Sequence, residues 1–227
     1  MYHFRIYITG LVGFLLVLTA EARVGYKLHS RVPCTDTPEC LLFELVCKTE
    51  DYEIRRYDSV NWVSTSFKTR DKVWWLDIIA LVPEFRRMKN YLNGKSVNIS
   101  TNANATVAPG MVKITERKGS WMSKLVNTQE YSLNFLLPSF HQSNYTEPTN
   151  KEVEIVTTPE MYVYVKPYKG WLNEDATQAQ LLFKSLGMSS DVTPHWAVGY
   201  SSPMSSKPHS EVWVIADGKP TCPPSGK

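Results

Sequence analysis

The motifs that mark nucleotide, acyl-transfer or metallohydrolase chemistry are missing from this chain. It has no GxGxxG, no P-loop, no GxSxG and no HExxH. No linear signal supports an enzyme, and no catalysis is expected. Histidine is scarce. His3, His29, His141, His195 and His209 are the five present, and no two stand at metal-ligand spacing. An excess of charge of one sign is also lacking. The net charge is +3 without a basic cluster, which argues against nucleic acid as a partner. Beyond residue 18 no apolar run reaches the roughly 20 residues of a membrane helix, so a mature chain is expected to have no membrane span. The paired carboxylates Glu174 and Asp175 sit at a helix start, where the macrodipole accounts for them.

What the chain does have is the composition of a globular protein. It is 43% hydrophobic and 21% charged over 227 residues, enough for a core in one domain or two small ones. Its first residues are of another kind. Arg5 precedes an apolar run from Ile6 to Leu18, and Thr19-Ala20-Glu21-Ala22 follows. A charged start, an apolar centre and a small-x-small site read as a secretory signal peptide over 1–22, cut after Ala22 or Ala20. The alternative is an uncleaved anchor. The expected location is secreted and extracellular.

Cysteines and sequons fit that compartment. Cys34, Cys40, Cys47 and Cys222 are even in number, as a disulfide framework requires. Three connectivities are open. The preferred one closes a local loop with Cys34–Cys40 and ties the first strand to the tail with Cys47–Cys222. A zinc site competes poorly, because there is no CxxC pair and no histidine nearby. Asn98, Asn104 and Asn144 each begin an Asn-x-Ser/Thr sequon and are expected N-glycan acceptors.

Two alternating runs, Tyr52–Tyr57 and Asn61–Phe67, flank Asp58-Ser59 and read as a hairpin of half-buried strands. Tyr52, Ile54 and Arg56 project to one side, and Glu53, Arg55 and Tyr57 to the other. Arg56 therefore shares a face with two large apolar residues. Either its stem covers them or its head faces a ligand. A helical stretch over 72–94 follows, with Leu81, Phe85, Met88 and Leu92 on one face. Pro83 places its clean start near Val82, and Gly94 its end. The apolar patch at Val73-Trp74-Trp75-Leu76 reads as core, as a first helical turn, or as a lip over a groove. Strands are expected over 111–115 and 131–138, with a polar loop over 139–150. Glu152–Val156 and Met161–Lys166 then repeat strand, turn and strand around Pro159. A second helix carries Leu172, Ala176, Ala179, Phe183 and Leu186 on one face and exits at Gly187. Strands at 196–200 and 211–215 close the chain.

The order strand-strand-helix-strand-strand thus occurs twice, which reads as an internal duplication. Segregated strands and helices make an α+β class, a distorted antiparallel β-barrel with two main helices. Seven tryptophans are many for this length, and most are expected in the core. An aromatic groove rimmed by Arg55, Arg56, Arg86 and Arg87 would suit a flat apolar ligand carrying carboxylates.

Several stretches together resemble the SOUL haem-binding protein family. They are YEIRRYDSVNWVSTSF from Tyr52 to Phe67, YLNGK from Tyr91 to Lys95, SLNFLLPS from Ser132 to Ser139, VYVKPYKG from Val163 to Gly170, and VGYSSP from Val198 with EVWVI from Glu211. They run in unbroken order across residues 45–216. The resemblance implies a distorted barrel with two helices and no catalysis. It implies haem or another tetrapyrrole, not required for folding, in a shallow apolar groove at Leu81, Phe85 and Met88. Arg56 matches the position where one branch of the family is thought to offer an axial histidine. A guanidinium stays protonated and does not ligate iron, but it pairs with a propionate. The expected organisation is a signal peptide (1–22), a Cys/Pro-rich lead-in (23–45), a SOUL haem-binding domain (46–217) and a tail (218–227). The expected function is a secreted, non-enzymatic tetrapyrrole-binding protein without a histidine axial ligand. The alternative is a secreted protein-interaction module of the same fold that has lost the ligand.

Overall fold

The computed structural model describes residues 24–26, 39–69, 78–93, 107–114, 129–189, 193–201 and 206–223. The strands are β1 (Val24–Tyr26), β2 (Glu39–Leu41), β3 (Glu44–Lys48), β4 (Glu53–Tyr57), β5 (Val60–Thr69), β6 (Val107–Ala108), β7 (Gly110–Ile114), β8 (Gln129–Leu136), β9 (Glu154–Thr158), β10 (Met161–Tyr168), β11 (His195–Gly199) and β12 (Ser210–Ile215). The helices are α1 (Ile78–Leu92), α2 (Ser139–Gln142) and α3 (Asp175–Leu186), the last entered through a 3-10 turn at Leu172–Glu174. Nine strands form one antiparallel sheet in the order β3-β4-β10-β12-β11-β7-β8-β5-β9. Strands β1, β2 and β6 form a small second sheet. The class is α+β, as the pattern implies. The large sheet curls into a half-barrel whose edges are β3 and β9. The signal-peptide stretch, Cys34, Asn98, Asn104, Trp74, Trp75 and Trp121 lie outside the described residues.

The expected hairpin is not made. Both runs are strands, but β4 pairs with β3 and β10, whereas β5 pairs with β8 and β9. A two-residue hairpin loop needs positive φ, supplied by glycine or asparagine. Asp58-Ser59 offers neither, so the chain turns a corner and does not reverse. The same holds for β9 and β10 around Pro159. Together the two bent runs make one long antiparallel ribbon. Its register carries through the corner, with Tyr57 opposite Met161 on one side and Val60 opposite Thr158 on the other.

Alternation then decides what lies inside. The concave face takes Tyr57, Val60, Trp62, Met111, Leu136, Val163, Val165, Val198 and Trp213 as one core. Val24, Cys40 and Leu41 of the small sheet pack into it from one end, with Phe43 behind them. The convex face carries the helices on separate cores. Met88 and Tyr91 of α1 meet Val63, Val112, Tyr131 and Leu133, while Ala179, Leu182 and Phe183 of α3 meet Tyr168, Val212 and Val214. Helix α1 begins a turn before the expected Val82 and holds Pro83 inside. As the sixth helical residue Pro83 lies past the four N–H groups that lack partners, so it costs the bond that position would otherwise donate to the Ile79 carbonyl. Helix α3 ends as expected on Gly187, whose φ of 65° only glycine adopts without cost. Cys47 and Cys222 form a disulfide, the long-range pairing preferred from sequence. Cys40 is disulfide-bonded as well, to a partner outside the described residues.

Candidate functional site

Helix α1 presents one described aromatic to the outside. Phe85 is 39% exposed, with its ring 5.3 Å from that of Phe135 on β8. Phe135 in turn covers Gly110 on the neighbouring strand, where a Cβ would come 2.7 Å from its ring. Beneath the same strip Phe67 stacks on Tyr131 with ring centroids 5.3 Å apart. Met88 is fully buried, so it supports this surface from below and does not line it. The side chain of Leu81 lies outside the described residues. Tyr91 donates to the Thr146 carbonyl at 2.6 Å, and its pKa is pushed up to about 12 by burial and the Glu147 charge.

Of the four arginines read as a cationic rim, one is open. Arg87 pairs with Glu84 and, at 3.0 Å, with Glu152. Glu84 is buried and also accepts from the Thr65 hydroxyl at 3.2 Å. Arg86 is exposed and makes no ion pair among the described residues. Lys89, exposed one turn beyond Phe85 on the same helix face, is in the same condition.

Arg56 lies elsewhere, on the convex side of β4. It holds Glu160 at 2.6 Å, Asp58 at 3.0 Å and Glu44 at 3.3 Å. The hydrogen bond to Glu160 raises its pKa and lowers that of Glu160. These contacts clamp the two chain corners, Asp58 on one run and Glu160 on the other, against edge strand β3. The structure thus sets Arg56 in a carboxylate cluster and Phe85 on the α1 face, with no recorded contact between them.

The fourth arginine, Arg55, was expected on the same rim and is instead buried at the centre of a polar cluster. Arg55, on the concave side of β4, is 3% exposed and reaches Glu211 on β12, which is completely buried. The pair is bidentate, at 3.1 and 3.0 Å. Glu211 also accepts from Tyr200 at 2.8 Å and from the Trp213 indole at 2.7 Å, and His209 stands 3.5 Å away. Glu53 pairs with Arg55 at 2.7 Å, and the Phe43 ring lies 4.1 Å from the guanidinium carbon. Burial pushes the Glu211 carboxyl up, but the Arg55 charge and the donated hydrogen bonds outweigh it and hold the pKa at about 2. Only the alternation that put Arg55 beside Glu53 and Tyr57 hinted at this cluster.

The SOUL heme-binding protein model matches residues 38–215. The chain belongs to the SOUL haem-binding family. Its relatives include Heme-binding protein 2 of Homo sapiens, 26% identical over 181 residues that cover 75% of this chain and 80% of the relative. Heme-binding protein 2 of Mus musculus is 25% identical over the same length and coverage. Among solved structures, the C-terminal domain of EcmrR is similar over 77% of this chain and 98% of its own, at 8% identity and a TM-score of 0.47.

Members of the family are named for haem, so the chain's residues can be tested against that group. An aromatic strip with exposed cations suits a flat apolar ring bearing carboxylates. Iron ligation finds less support. His141 stacks on Phe140, His195 lies beneath α3 against Phe183 with Asp175 at 3.5 Å, and His209 faces Tyr200 and Glu211. None of the three is recorded in contact with Phe85 or Phe135. Among the described residues no three His, Cys, Asp or Glu side chains converge on a metal position.

Proposed function

We propose that this SOUL protein is a non-enzymatic binder of haem or a related tetrapyrrole, on the exposed face of α1 and without a histidine axial ligand. The observation that carries the reading is the Phe85–Phe135 pair, with exposed Lys89 one turn along the same helix face and exposed Arg86 next to Phe85 in the chain, in a protein of a haem-binding family. Phe85 offers ring contact, and the two cations offer partners for carboxylates. Arg56, at the position matched to the histidine of one branch, is engaged by three carboxylates, so the propionate role falls to Arg86 and Lys89. The protein is read as secreted and glycosylated, with a signal peptide over 1–22 and acceptors at Asn98, Asn104 and Asn144. The exposure of Asn144 suits a glycan acceptor, and the Cys47–Cys222 bridge suits an oxidising compartment. The SOUL domain over 46–217 is read as two duplicated halves. Three kinds of pairing support it by recurring: β5–β8 matches β10–β12, β7–β8 matches β11–β12, and between the halves β5–β9 matches β10–β4.

Hemin titration followed at the Soret band tests the reading. The native chain is expected to give a saturable shift at micromolar hemin without a low-spin bis-histidine spectrum. Phe85→Ala should weaken binding about tenfold, the loss of one good aromatic contact, and Arg56→Ala should leave it unchanged. No saturable shift would instead favour a secreted interaction module of the same fold. Burial of Met88 speaks for that second reading, because it leaves little exposed apolar area on the described part of α1.

A further inference from the structure

We propose that the concave face of the half-barrel carries a receptor for a planar cation, and that Arg55 is its built-in occupant. The parts of a receptor are all present and come from four separate stretches of chain. Glu211 on β12 is the anion. Two neutral donors, the Tyr200 hydroxyl and the Trp213 indole N–H, hold its carboxylate independently of Arg55. Tyr57 and Trp213 form an aromatic wall, with ring centroids 4.6 Å apart, and the Tyr57 hydroxyl accepts from Arg55 at 3.2 Å. Phe43, from the link between β2 and β3, lies over the guanidinium at 4.1 Å and leans on Tyr57. Glu53 supplies a second carboxylate at the rim.

Those are the elements by which a site selects a guanidinium: a bidentate carboxylate in the plane, a ring over the face and donors that orient the anion. In the native chain the Arg55 head fills the site, so the concave face is closed to outside cations. Shortening Arg55 to alanine removes the cation and leaves the carboxylate, its two donors and the aromatic walls. The opened site would take a small alkylguanidinium or amidinium. This inference concerns the concave face and is independent of the tetrapyrrole reading for α1.

The test uses the full chain carrying Arg55→Ala, with methylguanidinium as probe and methylurea as its neutral match in shape. Methylguanidinium should raise the thermal midpoint of Arg55→Ala saturably, with half-effect on the order of 1 mM, as expected for so small a ligand. Methylurea and matched sodium chloride should not. The native chain should show no saturable shift, and Arg55→Ala/Glu211→Gln should respond at least tenfold more weakly. Should Arg55→Ala fail to fold unaided, recovery of its native circular dichroism on refolding with methylguanidinium, and not with methylurea, gives the same support. Rescue by both compounds overturns the charge-selective site in favour of simple cavity filling. Absence of rescue by either, in folded or refolding chain, overturns the proposal altogether.

Discussion

Arg55 and Arg56 are neighbours in sequence and opposites in circumstance, because successive strand residues face opposite sides of a sheet. Arg56 points outward into three carboxylates at the chain corners, where solvent screens each pair. Arg55 points inward, where its charge is tolerated only because Glu211 and Glu53 answer it. The pH dependence of stability follows from the same contrast. Glu211 is held at a pKa of about 2 against an ordinary 4.5. Between those values the unfolded chain takes up a proton that the folded chain refuses. The contribution is therefore complete above pH 4.5 and is lost as pH falls toward 2, about 3 kcal/mol in all. Burial pushes the Glu53 carboxyl up, but the Arg55 and Lys48 charges outweigh it and leave it lowered too, so the native profile alone does not isolate Glu211. The decisive comparison is urea unfolding of the native chain and Glu211→Gln from pH 7 to 2. The variant should be less stable at pH 7 and should lose less between pH 4.5 and 2. Parallel curves would contradict the assignment.

At the scale of elements, the sequence was readable wherever local pattern decides. The alternation in Tyr52–Tyr57 assigned both faces of β4 correctly, and the apolar spacing with Gly187 delimited α3. It was unreadable where partners are distant. Within the run from Asp51 to Phe67 only the lack of a turn glycine at Asp58-Ser59 hints that β4 and β5 part there, and their partners lie far off on β8, β9 and β10. Arg55 was placed on an exposed cationic rim for the same reason: the anion that draws it inside is 156 residues away. Met88 and Phe85 were rightly placed on one helix, but periodicity does not say which edge of an apolar stripe remains exposed. Gly110 joins two elements at the candidate surface. Phe135, directly opposite on β8, covers the face that the glycine leaves bare, and Phe85 rests on Phe135. Gly110→Ala would drive a methyl group into that ring. The expected cost is about 1–2 kcal/mol in urea unfolding. Displacement of Phe135 from beneath Phe85 should also weaken hemin binding. A variant with native hemin affinity would detach the Phe135 strip from the ligand surface.

For the whole molecule, the half-barrel leaves two sheet edges, and a bare edge invites pairing with other chains. The edge at β3 has β4 as its one strand neighbour, and the C-terminal tail is fastened beside it by Cys47–Cys222. The bridge spans 175 residues and so confines nearly the whole domain in the unfolded chain. In the chain-entropy model a loop of that length is worth about 5 kcal/mol, with native strain and residual unfolded structure reducing what is realised. Cys47→Ser/Cys222→Ser should accordingly lower the unfolding free energy by about 2–5 kcal/mol, with a larger denaturant slope because the unfolded chain is freer to expand. The two contributions separate by amide exchange. Central strand β12 should exchange faster only by the global loss, whereas β3, deprived of its tether, should gain an additional local opening. Equal acceleration in β3 and β12 would assign the whole effect to the unfolded state. Unchanged stability would mean that packing of the lead-in on the concave core already secures this edge.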